Sequence, residues 1–374
     1  MTENPETPGT APAPGSPPAP APAPAPGPTT PADAATSSTP DASNAARTAT
    51  GTGTGPDEHA RLREAMHRVR LEVGKAVVGQ DGTVTGLLIA LLSRGHVLLE
   101  GVPGVAKTLL VRSFSRALGL DTHRVQFTPD LMPGDVTGSL VYDARAGGFE
   151  FRAGPVFTHV LLADEINRTP PKTQAALLEA MEERQVSSDG VSRPLPDPFL
   201  VAATQNPIEH EGTYTLPEAQ LDRFLLKLVV DLPGRDAEVD VLRRHAQGFD
   251  PRRLDDAGVT PAVTAAEILA AQRAAASVAV ADDVLGYVVD LARATRQSPS
   301  VLLGVSPRAT TGLLAAAKAW AWLGGYPAIT PDHVQTMLVP VWRHRIRLRP
   351  EAEIEGVSVD AILTSVLQQT RVPI

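Results

Sequence analysis

The alternation of apolar and polar positions changes character twice along this chain. From Asp57 to Val77, apolar residues recur at helical spacing among charged ones, which predicts an opening helix. Short, continuous apolar runs then alternate with amphipathic stretches. Residues 96–100 and 124–127 predict two strands with a helix over 107–118 between them. Residues 160–163 predict a third strand, followed by a helix from Pro170 to about Glu183, whose proline suits a first helical turn. Residues 199–204 and 225–232 predict a fourth and a fifth strand. Strands that read as unbroken apolar runs, separated by helices, are those of a parallel sheet covered on both faces. After Pro233 and Gly234 the strand signal ends, and the Ala- and Leu-rich remainder predicts helices alone.

The expected fold is therefore α/β. A five-stranded parallel sheet flanked by helices occupies 57–233, and a small all-α lid occupies 234–374. Between the second and third strands, 129–158 forms an insert with a hairpin turning at Ala146-Gly147-Gly148. Residues 185–198 are polar and proline-rich and read as a second loop.

Composition adds a third segment. Residues 1–56 hold fourteen of the 35 prolines, first in Ala-Pro alternation and then among Ser, Thr, Ala and Gly. Such a stretch cannot bury enough apolar surface to offset its ordering entropy, so a disordered, extended tail is expected. Aromatic residues make up only 4% of the chain, so Leu, Val and Ala must fill the core. The absence of cysteine excludes disulfides, thiolate metal sites and thiol nucleophiles, and no two of the nine histidines stand at helical-pair spacing. A net charge of -8 argues against tight nonspecific binding to nucleic acid or an anionic membrane. No run approaches the roughly 20 apolar residues of a membrane-spanning helix, and the acidic start lacks a secretory core. A cytoplasmic protein without membrane insertion is expected.

The candidate chemistry begins at Gly101-Val102-Pro103-Gly104-Val105-Ala106-Lys107-Thr108-Leu109, which joins the first strand to a helix. In that context the segment is a phosphate-binding loop. Its amides converge at a helix N-terminus, Lys107 reaches the β- and γ-phosphates, and Thr108 can ligate Mg²⁺. Alanine at 106 is inexpensive on helical backbone and strained at positive φ. The third strand ends in Asp164-Glu165, where the carboxyl edge of a parallel sheet sets both carboxylates beside the loop. Asp164 is placed to hold Mg²⁺ and Glu165 to orient and deprotonate an attacking water. An ordinary Gly-rich turn followed by an acidic strand end remains the plain alternative to each alone.

The order of four motifs resembles the MoxR family of AAA+ ATPases over residues 60–350: the loop itself, Ala163-Asp164-Glu165-Ile166-Asn167-Arg168, Ala203-Thr204-Gln205-Asn206-Pro207 and Leu221-Asp222-Arg223-Phe224. The resemblance implies a P-loop AAA+ domain with ATP and Mg²⁺ as its ligands. It implies that Asn206 is the sensor contacting the γ-phosphate or the attacking water. It implies that Arg223 is a finger supplied across a subunit boundary, with a surface pair to Asp222 or Glu218 as the alternative. Arg308, after Pro307 at a helix start, matches a second sensor, and Val78-Gly79-Gln80 matches an adenine-side contact. The implied partners are further copies of the chain in a homo-oligomeric ring, a hexamer, and a protein client such as one carrying a von Willebrand factor A domain. The implied function is chaperone-like remodelling of partner complexes. A nucleic-acid motor, a metal-chelatase motor subunit and a scaffold without turnover stand as alternatives. The run Arg343-His344-Arg345-Ile346-Arg347-Leu348-Arg349, followed by Glu351, Glu353 and Glu355, reads as a solvated, self-neutralised segment.

Overall fold

The computed structural model describes residues 55–145, 147–207 and 213–373. The expected tail lies outside these residues except for its last two positions, as does Ala146 of the expected turn. Five strands form one parallel sheet: β1 (Val97–Glu100), β2 (Thr122–Gln126), β3 (Val160–Asp164), β4 (Leu200–Gln205) and β5 (Leu226–Val229), in the spatial order β2-β3-β4-β1-β5.

The central strands are buried because both of their faces are covered. Val97, Leu99, Val160, Leu162, Leu200 and Ala202 point into one core, while Leu98, Leu161, Ala163, Val201 and Ala203 point into another. That partition is the two-residue period of a strand. Helix Pro171–Glu183 seals the second core with Leu177, Leu178 and Met181. Helix Pro56–Gly74 offers Leu62, Ala65, Met66, Val69 and Val73 to the first, the spacing predicted from its sequence. The edge strands carry the polar residues; β2 buries only Val125. The sheet and its flanking helices are as expected, although β5 stops at Val229, before Asp231 and Pro233.

The lid contributes helices Arg235–Ala246, Ala265–Ala276, Asp282–Gln297, Pro307–Leu323, Pro331–Trp342 and Val359–Gln369. Its core is continuous with the first core of the sheet domain, and Gln272 donates to the Leu91 carbonyl at 2.8 Å across the join. One departure from the all-helical expectation is an antiparallel ladder of Val301–Leu303 with Arg347–Leu348. Segments of two and three residues are too short to show an alternation. The second departure is larger. The basic run is solvated only in part, since Arg347 and Arg349 are exposed while His344 and Arg345 are both 7% exposed, and Arg343, Arg345 and Arg347 pair with Asp360, Asp222 and Glu218.

Two antiparallel hairpins lie outside the parallel sheet. The insert pairs Gly138–Asp143 with Gly148–Ala153, in register from Gly138 opposite Ala153 to Asp143 opposite Gly148. The expected loop after helix Pro171–Glu183 is instead a hairpin, Gln185–Ser188 against Val191–Pro194. Asp189 and Gly190, at φ 54° and 73°, form the two-residue primed turn that matches strand twist. The guanidinium of Arg193 lies 3.9 Å from the centre of the Phe151 ring, joining the two hairpins. At the insert's far end Tyr142 and Phe149 meet edge to face at 5.4 Å, 57% and 71% exposed.

Candidate active site

The loop after β1 is shaped by three backbone positions. Gly101 passes so close to the last strand that a Cβ would lie 2.6 Å from the Val230 carbonyl oxygen. Gly104 has φ +88°. Ala106, at φ 63° and ψ 25°, is left-handed at the start of helix Lys107–Leu118. Alternating backbone handedness turns successive amides toward one concavity, the geometry that holds anionic oxygens. For alanine that conformation costs roughly 1–2 kcal/mol, so the strained alternative is the one realised. Lys107 Nζ donates to the Gly101 and Val102 carbonyls, the latter at 3.2 Å.

Sheet order then places β4 beside β1 and β3 beside β4, with their carboxyl ends along one edge. Asp164 is 7% exposed. Its Oδ1 accepts from the Thr204 hydroxyl at 2.5 Å, and its Oδ2 accepts from Thr108 Oγ1 at 3.2 Å and from Arg124 Nη2 at 2.8 Å. Glu165 is left-handed at φ 57°. Its amide donates to Thr204 Oγ1 at 2.9 Å, Gln126 Nε2 donates to its Oε2 at 2.8 Å, and Arg168 Nε stands 3.1 Å from the same oxygen. A buried charge is tolerated only when its lone pairs are met, and here both oxygens of the buried Asp164 carboxylate are met. Asn206, also 7% exposed, follows the last residue of β4. Thr204, Arg124, Gln126 and Arg168 were not legible as site residues. The available signal was positional: Thr204, Arg124 and Gln126 sit within two residues of a strand's carboxyl end, and Arg168 lies four beyond one.

All of these groups but Arg168 line one cleft of about 600 Å³. Pro103 through Leu109, Asp164, Glu165, Asn206, Val78 and Gln80 all border it. Gly101 and Val102 contribute carbonyls to Lys107 rather than lining, and Gly79, at φ +74°, backs onto Ala237. Gln80 ties this wall to the Asp231 carbonyl at 3.0 Å. The far end is walled by Pro233, Val241, His245 and Phe249, the last two edge to face at 5.6 Å. That wall comes from the first lid helix and the turn after it, which sequence reading did not assign to the site. One end thus suits phosphate and the other a flat heterocycle. Thr108 and Asp164 offer one hydroxyl and one carboxylate, a donor set that fits Mg²⁺ whose remaining ligands are phosphate and water. No cluster of three or more His, Cys, Asp or Glu able to hold a metal occurs among the described residues.

Arg223 and Arg308 do not border this cleft. They meet instead at Glu182, with Arg223 Nε 2.7 Å from Oε2 and Arg308 Nη1 2.7 Å from Oε1. The alternative pairings of Arg223 are not made, because Asp222 pairs with Arg345 and Glu218 with Arg347.

Residues 96–226 match the family model of the ATPases associated with various cellular activities (AAA), and residues 293–366 match that of an AAA lid domain. The protein YeaC of Bacillus subtilis is 44% identical over 85% of this chain and 97% of its own length. The chaperone MoxR1 of Mycobacterium tuberculosis is 43% identical over 82% of each chain, and the protein MoxR of Paracoccus denitrificans is 36% identical over 79% of this chain and 91% of its own. A crystal structure from Cytophaga hutchinsonii superposes with a TM-score of 0.78 at 38% identity, covering 85% of this chain and 98% of that one. With its sheet order, its strand-end carboxylates and its lid all accounted for, the chain belongs to the MoxR family of AAA+ ATPases.

Proposed function

We propose that this protein hydrolyses ATP to ADP and phosphate and uses the cycle to remodel or activate partner protein complexes, as a homo-oligomeric ring in the cytoplasm. The observation that carries the reading is a division of labour. Lys107, Thr108, Asp164, Glu165 and Asn206 surround one cleft, while Arg223 and Arg308 stand together outside it. A chain with every part of a hydrolytic site except its arginines is suited to receive them from a neighbour.

In this reading residues 57–233 bind the nucleotide and 234–374 form the lid. The loop amides and Lys107 hold the β- and γ-phosphates. Mg²⁺, when bound at Thr108 and Asp164, neutralises charge developing on the phosphate oxygens. Glu165 orients and deprotonates the water, kept in place by Gln126 and Arg168. Asn206 contacts the γ-phosphate or that water, and Val78, Gly79 and Gln80 form the adenine side. Arg223 of one subunit stabilises the transition state in the next. The exposed aromatics of the insert face a protein client, of which a von Willebrand factor A domain protein is the candidate suggested by resemblance. The name of the Mycobacterium tuberculosis relative, a chaperone, supports this choice over a nucleic-acid motor, as does the net charge of -8.

The test uses two variants that fail for different reasons. Lys107→Ala should not bind ATP. Arg223→Ala should bind it and lose on the order of 10³-fold in rate or more, as arginine-finger loss does. Mixing the two should restore part of the activity, because mixed interfaces pair an intact pocket with an intact finger. Full activity of Arg223→Ala as an isolated monomer would contradict the ring.

A further inference from the structure

The basic run that sequence analysis left without a role closes on the segment carrying Arg223. Arg345 Nε lies 2.8 Å from Asp222 Oδ1, and its Nη2 donates to the Asp222 carbonyl at 3.0 Å and to the Phe224 carbonyl at 2.7 Å. His344 Nε2 donates to the same Phe224 carbonyl at 2.9 Å. The peptide carbonyls on both sides of Arg223 are therefore held from the lid. The other oxygen of Asp222 accepts from Ser306 Oγ at 3.1 Å, and Ser306 caps the helix whose second residue is Arg308. Gly312 makes the room: a Cβ there would lie 3.5 Å from Arg345 Nη1 and 3.2 Å from Leu225.

Burial is what makes the arrangement informative. The Arg345 side chain is 4% exposed, and desolvation lowers its pKa to about 10. Desolvation, reinforced by Arg345, keeps His344 well below the ordinary histidine value, so the imidazole is neutral and its Nε2 carries the donated proton. Stability alone is poorly served by a buried cation, since apolar residues of similar volume often do as well. A planar guanidinium that gives Nη2 to two carbonyls and Nη1 to the Val341 carbonyl while lying against a carboxylate fixes geometry, and lysine cannot reproduce it.

We infer that Arg345 and His344 are positioning residues for Arg223, so that the lid sets the direction of the arginine offered to the neighbouring subunit. The inference rests on the finger reading given above. It gives the lid a second task besides walling its own cleft: it carries the arginine segment with it.

The decisive variants are Arg345→Lys, which keeps the charge facing Asp222 and loses the fork, and His344→Leu, which removes one donor at Phe224. Each is measured in the full chain for thermal unfolding, for affinity toward a fluorescent ATP analogue, and for kcat and KM with ATP. The expected result for Arg345→Lys is analogue affinity and KM within about twofold of the parent and a kcat at least tenfold lower. His344→Leu should lower kcat at least threefold. The double variant Arg223→Ala/Arg345→Lys should be no slower than Arg223→Ala, and mixing Arg345→Lys with Lys107→Ala should restore activity. An unchanged kcat, a parallel loss of affinity and kcat, additive effects in the double variant, or unfolding of both single variants would each overturn the positioning role. If Arg223→Ala is itself as fast as the parent, the finger reading falls and this inference falls with it; if Arg223→Ala is slow and Arg345→Lys is not, only this inference falls.

Discussion

Arg308 Nη1 lies 2.7 Å from Glu182 Oε1, which joins the first turn of a lid helix to the last turn of helix Pro171–Glu183. The second oxygen of the same carboxylate takes Arg223, so one anion is shared by two arginines that do not border the nucleotide cleft. Both pairs are partly exposed, and such pairs are worth about 0.2–1 kcal/mol each.

That magnitude sets the first prediction. On the finger reading proposed above, Glu182→Gln removes a competitor for a neighbour's phosphate, and steady-state hydrolysis by the assembled protein should rise by about 1.4- to fivefold, the factor equivalent to one such pair. ATP affinity should stay the same. A fall to the Arg223→Ala rate would show that Glu182 aims the arginines instead of holding them back.

Ala106→Gly should stabilise the fold by about 1 kcal/mol, because it removes a left-handed alanine without touching another group. Urea denaturation measures it. Equal midpoints for the two proteins would mean that the loop carries no strain there.

Thr204→Val keeps the shape of the side chain and deletes both of its bonds, the one given to Asp164 and the one taken from the Glu165 amide. Loss of a partner to a buried charged group costs about 1–3 kcal/mol. Stability should fall within that range and kcat at least tenfold, read by denaturation and phosphate release. A kcat within twofold of the parent would remove Thr204 from the site.

Stability should also fall as the solution is acidified below about pH 6.5. Burial, helped by nearby Arg184, lowers the pKa of His96 to about 3. Its ring donates to the Met181 carbonyl and accepts from the Val201 amide, a pattern only the neutral form can make. Above the unfolded value neither state binds the proton, and below it only the unfolded chain does. The contribution is thus complete above about pH 6.5 and is lost progressively toward pH 3, at about 1.4 kcal/mol per unit for this residue. His344 acts in the same direction. Urea midpoints that stay flat between pH 7.5 and 5.5 would show the imidazoles to be solvated.

The sheet was readable because β1, β3 and β4 are continuous apolar runs, which only a doubly covered parallel strand requires. The phosphate loop and the two carboxylates were readable because their spacing along the chain is short. What escaped depends on which strands become neighbours. Arg124 and Gln126 reach Asp164 and Glu165 only because β2 lies beside β3. The burial of Arg345 was misread because its partners, Asp222 and the Phe224 carbonyl, lie more than a hundred residues away, whereas the nearby glutamates suggested local neutralisation. The second hairpin was missed although Asp189-Gly190 is a turn pair, because its flanking residues are polar.

Glu182 and the hairpin beginning at Gln185 are separated by two residues of chain, one of them the left-handed Arg184. Through Arg193 and Phe151 that hairpin touches the insert, whose aromatic tip is the most exposed apolar part of either. In mechanical terms this is a short linkage from an exposed aromatic surface to an ionic catch. Only one ring contact and the strand pair of Arg193 with Val186 lie between the tip's hairpin and the segment that carries the carboxylate.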